Sequence, residues 1–88
     1  MTFAEQMGNI GSELTRAVGR SPELRQQSLL RAEGLVDRTL REVGLRDAQR
    51  RELGLLKEQI KVGANLQDLV NYCLPFALLA RREHDSRP

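Results

Sequence analysis

Apolar side chains recur at spacings of three and four residues in four stretches of this chain, and this periodicity limits the possible folds more than any other feature. One face of an α-helix repeats about every 3.6 residues, whereas a β-strand alternates every two. Short segments of glycine, proline and capping residues separate the four stretches. The pattern predicts an all-α protein, either a small four-helix bundle or a pair of helical hairpins. With 88 residues the chain is long enough for one domain only.

Capping residues set the boundaries of these helices. We predict one domain over residues 1–83 with helices at about 3–18, 22–43, 47–62 and 66–82, followed by a frayed tail at 84–88. Thr2 and Glu5 have the spacing of a capping box, in which each side chain binds the other residue's backbone N–H. Ser21 followed by Pro22 is typical of a helix start, because proline is favoured at the first helical position.

The connections between the later helices are short. Gly44 is predicted to end the second helix as a left-handed cap, and Asp47 to cap the third. A connection of this length predicts an antiparallel hairpin of the second and third helices. Gly63 is predicted to end the third helix, and Asn65 to cap the fourth.

The fourth predicted helix is apolar in almost every direction. Its apolar residues are Leu66, Leu69, Val70, Cys73, Leu74, Phe76, Ala77, Leu78 and Leu79. A helix that is apolar all round is normally buried, so we expect it to be the centre of the bundle. Pro75 lies within it and removes one backbone hydrogen bond, which predicts a kink or a split at that point.

Composition narrows the class of protein further. Aromatic residues are only 3% of the chain, so the core must consist of aliphatic side chains. A single cysteine cannot form an intrachain disulfide, and a reducing, cytoplasmic location is therefore expected. The longest apolar run, from Cys73 to Ala80, is much shorter than the roughly 20 residues that span a bilayer.

Catalytic and metal-binding residues are almost absent. Cys73 and His84 are the only thiol and the only imidazole, and on one continuous helix they would lie ~16 Å apart at ~1.5 Å per residue. A nucleophile and its base must be within hydrogen-bonding distance. One cysteine and one histidine also cannot make a structural zinc site. We therefore expect no enzymatic activity, no metal, no cofactor and no small-molecule substrate.

The first predicted helix has a narrow apolar row. Phe3, Met7, Ile10 and Leu14, called the contact row below, follow one another at spacings of four and three. Gly8 and Gly11 beside the row either weaken the helix or allow a neighbouring backbone to approach closely.

The third predicted helix has apolar residues on two opposite sides, and Leu55 and Val62 lie on the second side. Four short helices cannot easily bury this much apolar surface, which favours binding to another protein or to a second copy of the chain. We interpret the chain as a non-enzymatic protein–protein interaction module, such as a small adaptor, a chaperone-like subunit or a regulator. The contact row is the first candidate surface, with Leu55 and Val62 as the second. A monomeric bundle in which all of these residues face one core is the structural alternative.

A basic row gives a second functional hypothesis. Arg46, Arg50, Lys57 and Lys61 recur at intervals of four, seven and four, so they line one side of the third helix and could contact phosphates of a nucleic acid. The net charge is only +2, however, and acidic residues surround the same helix. Nucleic-acid binding is therefore the less favoured alternative.

Overall fold

The computed structural model describes residues 2–42 and 44–85, with side chains described as far as Arg82. It contains four α-helices, which are α1 (Phe3–Ala17), α2 (Pro22–Leu40), α3 (Asp47–Val62) and α4 (Leu66–Asp85). The described residues include no strand. The predicted all-α class and the small four-helix bundle are confirmed.

The first two helices begin as their capping residues predict. The Thr2 hydroxyl accepts the backbone N–H of Glu5, and the Glu5 carboxylate accepts the N–H of Thr2, both at 3.1 Å. Ser21 is the N-cap of α2, and its hydroxyl accepts the N–H of Leu24 at 3.5 Å. Pro22 is the first residue of that helix. These bonds satisfy backbone donors that a helix N-terminus otherwise leaves unpaired.

The end of α2 differs from the prediction. The helix ends at Leu40, not near residue 43, and Gly44 lies in the following turn with a φ of 96° instead of capping the helix. A side chain from α3 explains the early end. The guanidinium of Arg50 donates to the carbonyl oxygens of Leu40 and Glu42 at 2.8 and 3.2 Å, which satisfies acceptors left free where the helix stops. Val43 lies outside the described residues.

The start of α3 also differs from the prediction, whereas its end agrees with it. Asp47 is the first helical residue of α3, and Arg46 is its N-cap; the N–H of Arg46 donates to the Gln49 side chain at 2.9 Å. Gly63 ends α3 in the left-handed conformation as predicted, with a φ of 71°.

The last helix extends further than expected and is not split. It runs without a break through Pro75 and ends at Asp85, so residues 84 and 85 of the predicted tail are helical. Residues 86–88 lie outside the described part of the chain. Asn65, which directly precedes α4, has a φ of 55°. Its carbonyl oxygen accepts the backbone N–H groups of Asp68 and Leu69 in the first turn.

Neighbouring helices in the bundle are antiparallel. The polar contacts that show this are Gln6–Glu42 and Glu13–Arg31, which join α1 to α2 and the turn after it, and Arg25–Gly63 and Asp37–Lys57, which join α2 to α3 and its C-cap. Along each of these two interfaces, the residue number rises in one helix while it falls in the other, which is the pattern of antiparallel packing. The second and third helices thus form the predicted hairpin. Helix α1 packs extensively against both α2 and α4, whereas α3 packs against α2 and makes a much smaller contact with α4.

The core is centred on α1, not on α4 as predicted. Its buried apolar residues are Met7, Ile10, Leu14 and Ala17 from α1, Leu29, Ala32 and Val36 from α2, Leu53, Leu56 and Ile60 from α3, and Leu66 and Cys73 from α4. Three leucines of α4 are about half exposed, namely Leu74, Leu78 and Leu79. They are exposed because α4 meets the bundle along one side only, and that side is where it contacts α1 and the edge of α3.

Two glycines of α1 allow its close contact with α4. A Cβ atom placed on Gly11 would lie 2.7 Å from the Cβ of Cys73, and one placed on Gly8 would lie 3.3 Å from the Cα of Ala77. Carbon atoms at van der Waals contact are about 3.5–4.0 Å apart, so any side chain at Gly11 would force the helices to separate. The glycines beside the contact row therefore permit close backbone approach, which was one of the two predicted roles.

We predict that Gly11→Ala destabilises the protein although alanine is the better helix former. Overpacking of a core costs about 1–3 kcal/mol, whereas replacing a helical glycine by alanine contributes only about 1 kcal/mol. Gly34 in α2 is the matched control, because a Cβ there would meet nothing within 4 Å. Urea unfolding followed by circular dichroism should give a lower free energy of unfolding for Gly11→Ala and a higher one for Gly34→Ala. Equal stabilisation by both substitutions would contradict the close contact.

Candidate functional site

The contact row of α1 lies inside the folded chain. Met7, Ile10 and Leu14 are fully buried, and Phe3 is partly buried with its ring edge-to-face against Phe76 at 5.8 Å between centroids. The prediction that these residues form a surface for a partner is corrected accordingly. The row is buried because α2 and α4 of the same chain pack against α1 from two sides.

The second predicted patch, on α3, is on the surface. Leu55 and Val62 are 64% and 69% exposed. Leu55 also lines a cleft between α3 and α4, while Val62 lies one heptad further along the same side of α3. Whether either residue contacts a partner remains a prediction.

The cleft between α3 and α4, called the α3–α4 cleft below, has a volume of about 300 Å³. Its lining residues are Glu52, Leu55 and Gln59 from α3 and Asp68, Leu69 and Tyr72 from α4. The cleft exists because these two helices pack loosely, and no ion pair crosses between them among the described side chains. An apolar floor is thus bordered by two carboxylates, an arrangement that can hold an apolar side chain next to a positive charge.

Tyr72 forms one wall of the cleft and carries a buried hydroxyl. No described atom lies in hydrogen-bonding geometry with that hydroxyl. Burial of the hydroxyl is the main cause that raises the pKa of Tyr72 above its usual range, and the nearby carboxylate of Glu52 raises that pKa further. The phenol therefore stays neutral at physiological pH, and its ring contributes apolar surface to the cleft.

The outward side of α4 is a second apolar surface, which was not predicted because this helix was expected at the centre of the bundle. The residues called the outer stripe below are Asp68, Pro75, Leu78, Leu79 and Arg82. Four of them, Pro75, Leu78, Leu79 and Arg82, line a depression of about 310 Å³. The spacing of seven between Asp68, Pro75 and Arg82 was the available signal, since residues seven apart lie on one side of a helix.

The predicted basic row lies on the side of α3 that is opposite to Leu55 and Val62 and that faces α2. Arg50 is bound to the backbone carbonyls that follow α2, and Lys57 forms an ion pair with Asp37 at 2.6 Å. The hydrogen bond between these two side chains lowers the pKa of Asp37 and raises the pKa of Lys57. Arg46 and Lys61 are exposed. Two of the four side chains thus hold the α2–α3 hairpin together.

Cys73, the only thiol of the chain, lies in the core. Cys73 is 1% exposed, and burial raises the pKa of its thiol to about 11. The His84 side chain lies outside the described set. Over the described residues, no three or more His, Cys, Asp and Glu side chains are grouped so that they could hold a metal ion. None of the described helices is both long and apolar enough to cross a membrane.

No protein-family model matches the chain, and no curated protein and no solved structure matches it either. Function is therefore inferred from the surfaces of the molecule itself.

We predict that Cys73 resists thiol reagents in the folded protein. Only the thiolate reacts, and burial both removes access and suppresses ionisation at pH 8. Ellman's reagent should modify the urea-unfolded chain within minutes and the folded chain only at the rate of its opening. Rapid modification of the folded chain would contradict the burial of Cys73.

The same thiol should make stability depend on alkaline pH. In the folded state the pKa of Cys73 is raised to about 11 from a usual value of 9.0, so the folded chain keeps a proton that the unfolded chain loses. The stabilising contribution is therefore complete below pH 9 and decreases as the pH rises toward 11. Cys73→Ala should remove this part of the dependence when free energies of unfolding are compared over that range.

Proposed function

We propose that this chain is a non-enzymatic protein-binding module, a small adaptor, chaperone-like subunit or regulator, that holds a helix of its partner in the α3–α4 cleft. The observation that supports this most is the cleft itself, where Leu55 projects at 64% exposure beside the apolar surfaces of Leu69 and Tyr72.

The distribution of exposed apolar residues supports the same surface. The large apolar side chains that are exposed in the described part of the chain are Val18, Leu24, Leu30, Leu55, Val62, Leu74, Leu78 and Leu79. The last five belong to α3 and α4, the two helices that border the cleft. Single exposed leucines are ordinary on soluble proteins, but several exposed apolar residues on two adjacent helices are typical of an interaction surface.

The chemistry of the cleft indicates what a partner should present. An amphipathic helix places apolar residues at i, i+3, i+4 and i+7, and one such residue would fill the space above Leu69 and Tyr72. Glu52 and Asp68 at the border favour a partner with basic residues next to its apolar ones. Tyrosine is one of the residue types enriched at interaction hot spots, and the partly buried Tyr72 lies in the wall of the cleft where such a contact would form.

The nucleic-acid alternative has less support. Arg50 and Lys57 are occupied by contacts within the chain, so fewer side chains of the basic row are available to bind phosphates than the spacing predicts. The apolar cleft lies on the other side of α3 and has an acidic border, which would repel a phosphate backbone.

A photoreactive benzophenone amino acid in place of Leu55 tests the proposal in the native cell. We expect ultraviolet light to produce a covalent protein adduct, because a bound helix would lie within contact distance of this position. The same amino acid in place of Leu30 is the matched control, since Leu30 is an exposed leucine of α2, away from the cleft. Adducts should be abundant at position 55 and scarce at position 30. No adduct at position 55, or the same adducts at both positions, would contradict the proposed docking site.

A further inference from the structure

We propose that the partner in the α3–α4 cleft is a second copy of this chain, bound by antiparallel pairing of the two α4 helices about a two-fold axis at Pro75. This inference rests on the proposed function, since it names the occupant of the same cleft. The outer stripe of one copy would lie against the outer stripe of the other, and Leu79 of each copy would enter the cleft of the other.

The charges of the outer stripe are self-complementary. Asp68 lies seven residues before Pro75 and Arg82 lies seven residues after it, so each charge is ~10 Å from the proline along the helix. All three residues are exposed. An antiparallel two-fold pairing centred on Pro75 therefore places Asp68 of each copy opposite Arg82 of the other. Two identical ion pairs result from one symmetry operation, as in any isologous interface.

The apolar residues of the stripe match in the same register. Leu79 lies four residues after Pro75 and Tyr72 lies three before it. The two residues are seven apart, so Leu79 is on the same side of α4 as Tyr72, which lines the cleft. Two-fold symmetry brings Leu79 of one copy to Tyr72 of the other, where Leu55 and Leu69 also line the cleft. An exposed leucine would thus fill an apolar space on each side of the axis, and the acidic border would receive an arginine.

A parallel pairing of the same helices is disfavoured by these charges. It would place Asp68 against Asp68 and Arg82 against Arg82, and like charges at an interface oppose association. In the antiparallel arrangement, the charged residue at each end of the outer stripe lies opposite a residue of the other charge.

Charge reversal at the two ends tests this register. Asp68→Arg and Arg82→Asp should each shift the monomer–dimer equilibrium toward monomer by about tenfold or more, because each change turns both ion pairs into repulsive contacts. An equimolar mixture of the two variants should recover the affinity, since every pair in the heterodimer is again of opposite charge. Sedimentation equilibrium gives the dissociation constants, and native mass spectrometry with one variant isotopically labelled identifies the heterodimer.

Neighbouring residues supply matched controls. Arg81→Asp and Gln67→Arg make similar changes of charge near the same helix ends but on other sides of α4, and both side chains are exposed. These controls should dimerise like the unchanged chain, and circular dichroism should show that all four variants are folded.

Two results would overturn the pairing. One is a chain that stays monomeric at concentrations up to about 1 mM, and the other is a mixture of Asp68→Arg and Arg82→Asp that dimerises no better than either variant alone. A monomeric chain that still gives an adduct with another protein at position 55 would overturn this inference alone and leave the proposed function standing. The absence of any adduct at that position would instead overturn the proposed function.

Discussion

The contact between the glycines of α1 and the small residues of α4 is the interaction on which the rest of this structure depends. Gly11 faces Cys73 and Gly8 faces Ala77 with no room for an additional carbon atom at Gly11. This close approach lets the narrow apolar row of α1 become the centre of the core, between α2 and α4. A helix with only Met7, Ile10 and Leu14 as large buried residues could not fill a wider gap, because cavities in a core are costly.

The surface available for binding follows from the same arrangement. Helix α4 is fixed along α1, and α3 is fixed to α2 through Arg50 and the Asp37–Lys57 ion pair, so the border between α3 and α4 is the least tightly packed in the bundle. The α3–α4 cleft opens at this border, and the leucines of α4 that do not reach the core remain exposed on the outward side of the same helix. One bundle thus has a closed side built on glycine contacts and an open apolar side on which the proposed function depends.

The four helices could be predicted from the sequence, but the way in which they pack could not. Local signals predicted the starts of α1 and α2, because a capping box and a Ser–Pro pair act within a few residues. The end of α2 could not be predicted, since Arg50 of another helix satisfies its last carbonyls. The direction in which α4 faces the core was harder to predict, because apolar residues occupy almost every side of this helix and only the spacing of Asp68, Pro75 and Arg82 marks its outward side. Of the candidate surfaces, the patch with Leu55 is exposed and the contact row is buried. The spacing of the contact row is the same for a core and for an interface.

The most direct test of this account is whether α1 packs against α4 of its own chain. Nuclear Overhauser effects between the Hα protons of Gly8 and Ala77, and between Gly11 and the Hβ protons of Cys73, report this contact. In an equal mixture of isotope-labelled and unlabelled chains, filtered spectra separate effects within a chain from those between chains. The account predicts strong effects within a chain and none between chains. Effects that appear only between chains, or no effects at these positions, would contradict it.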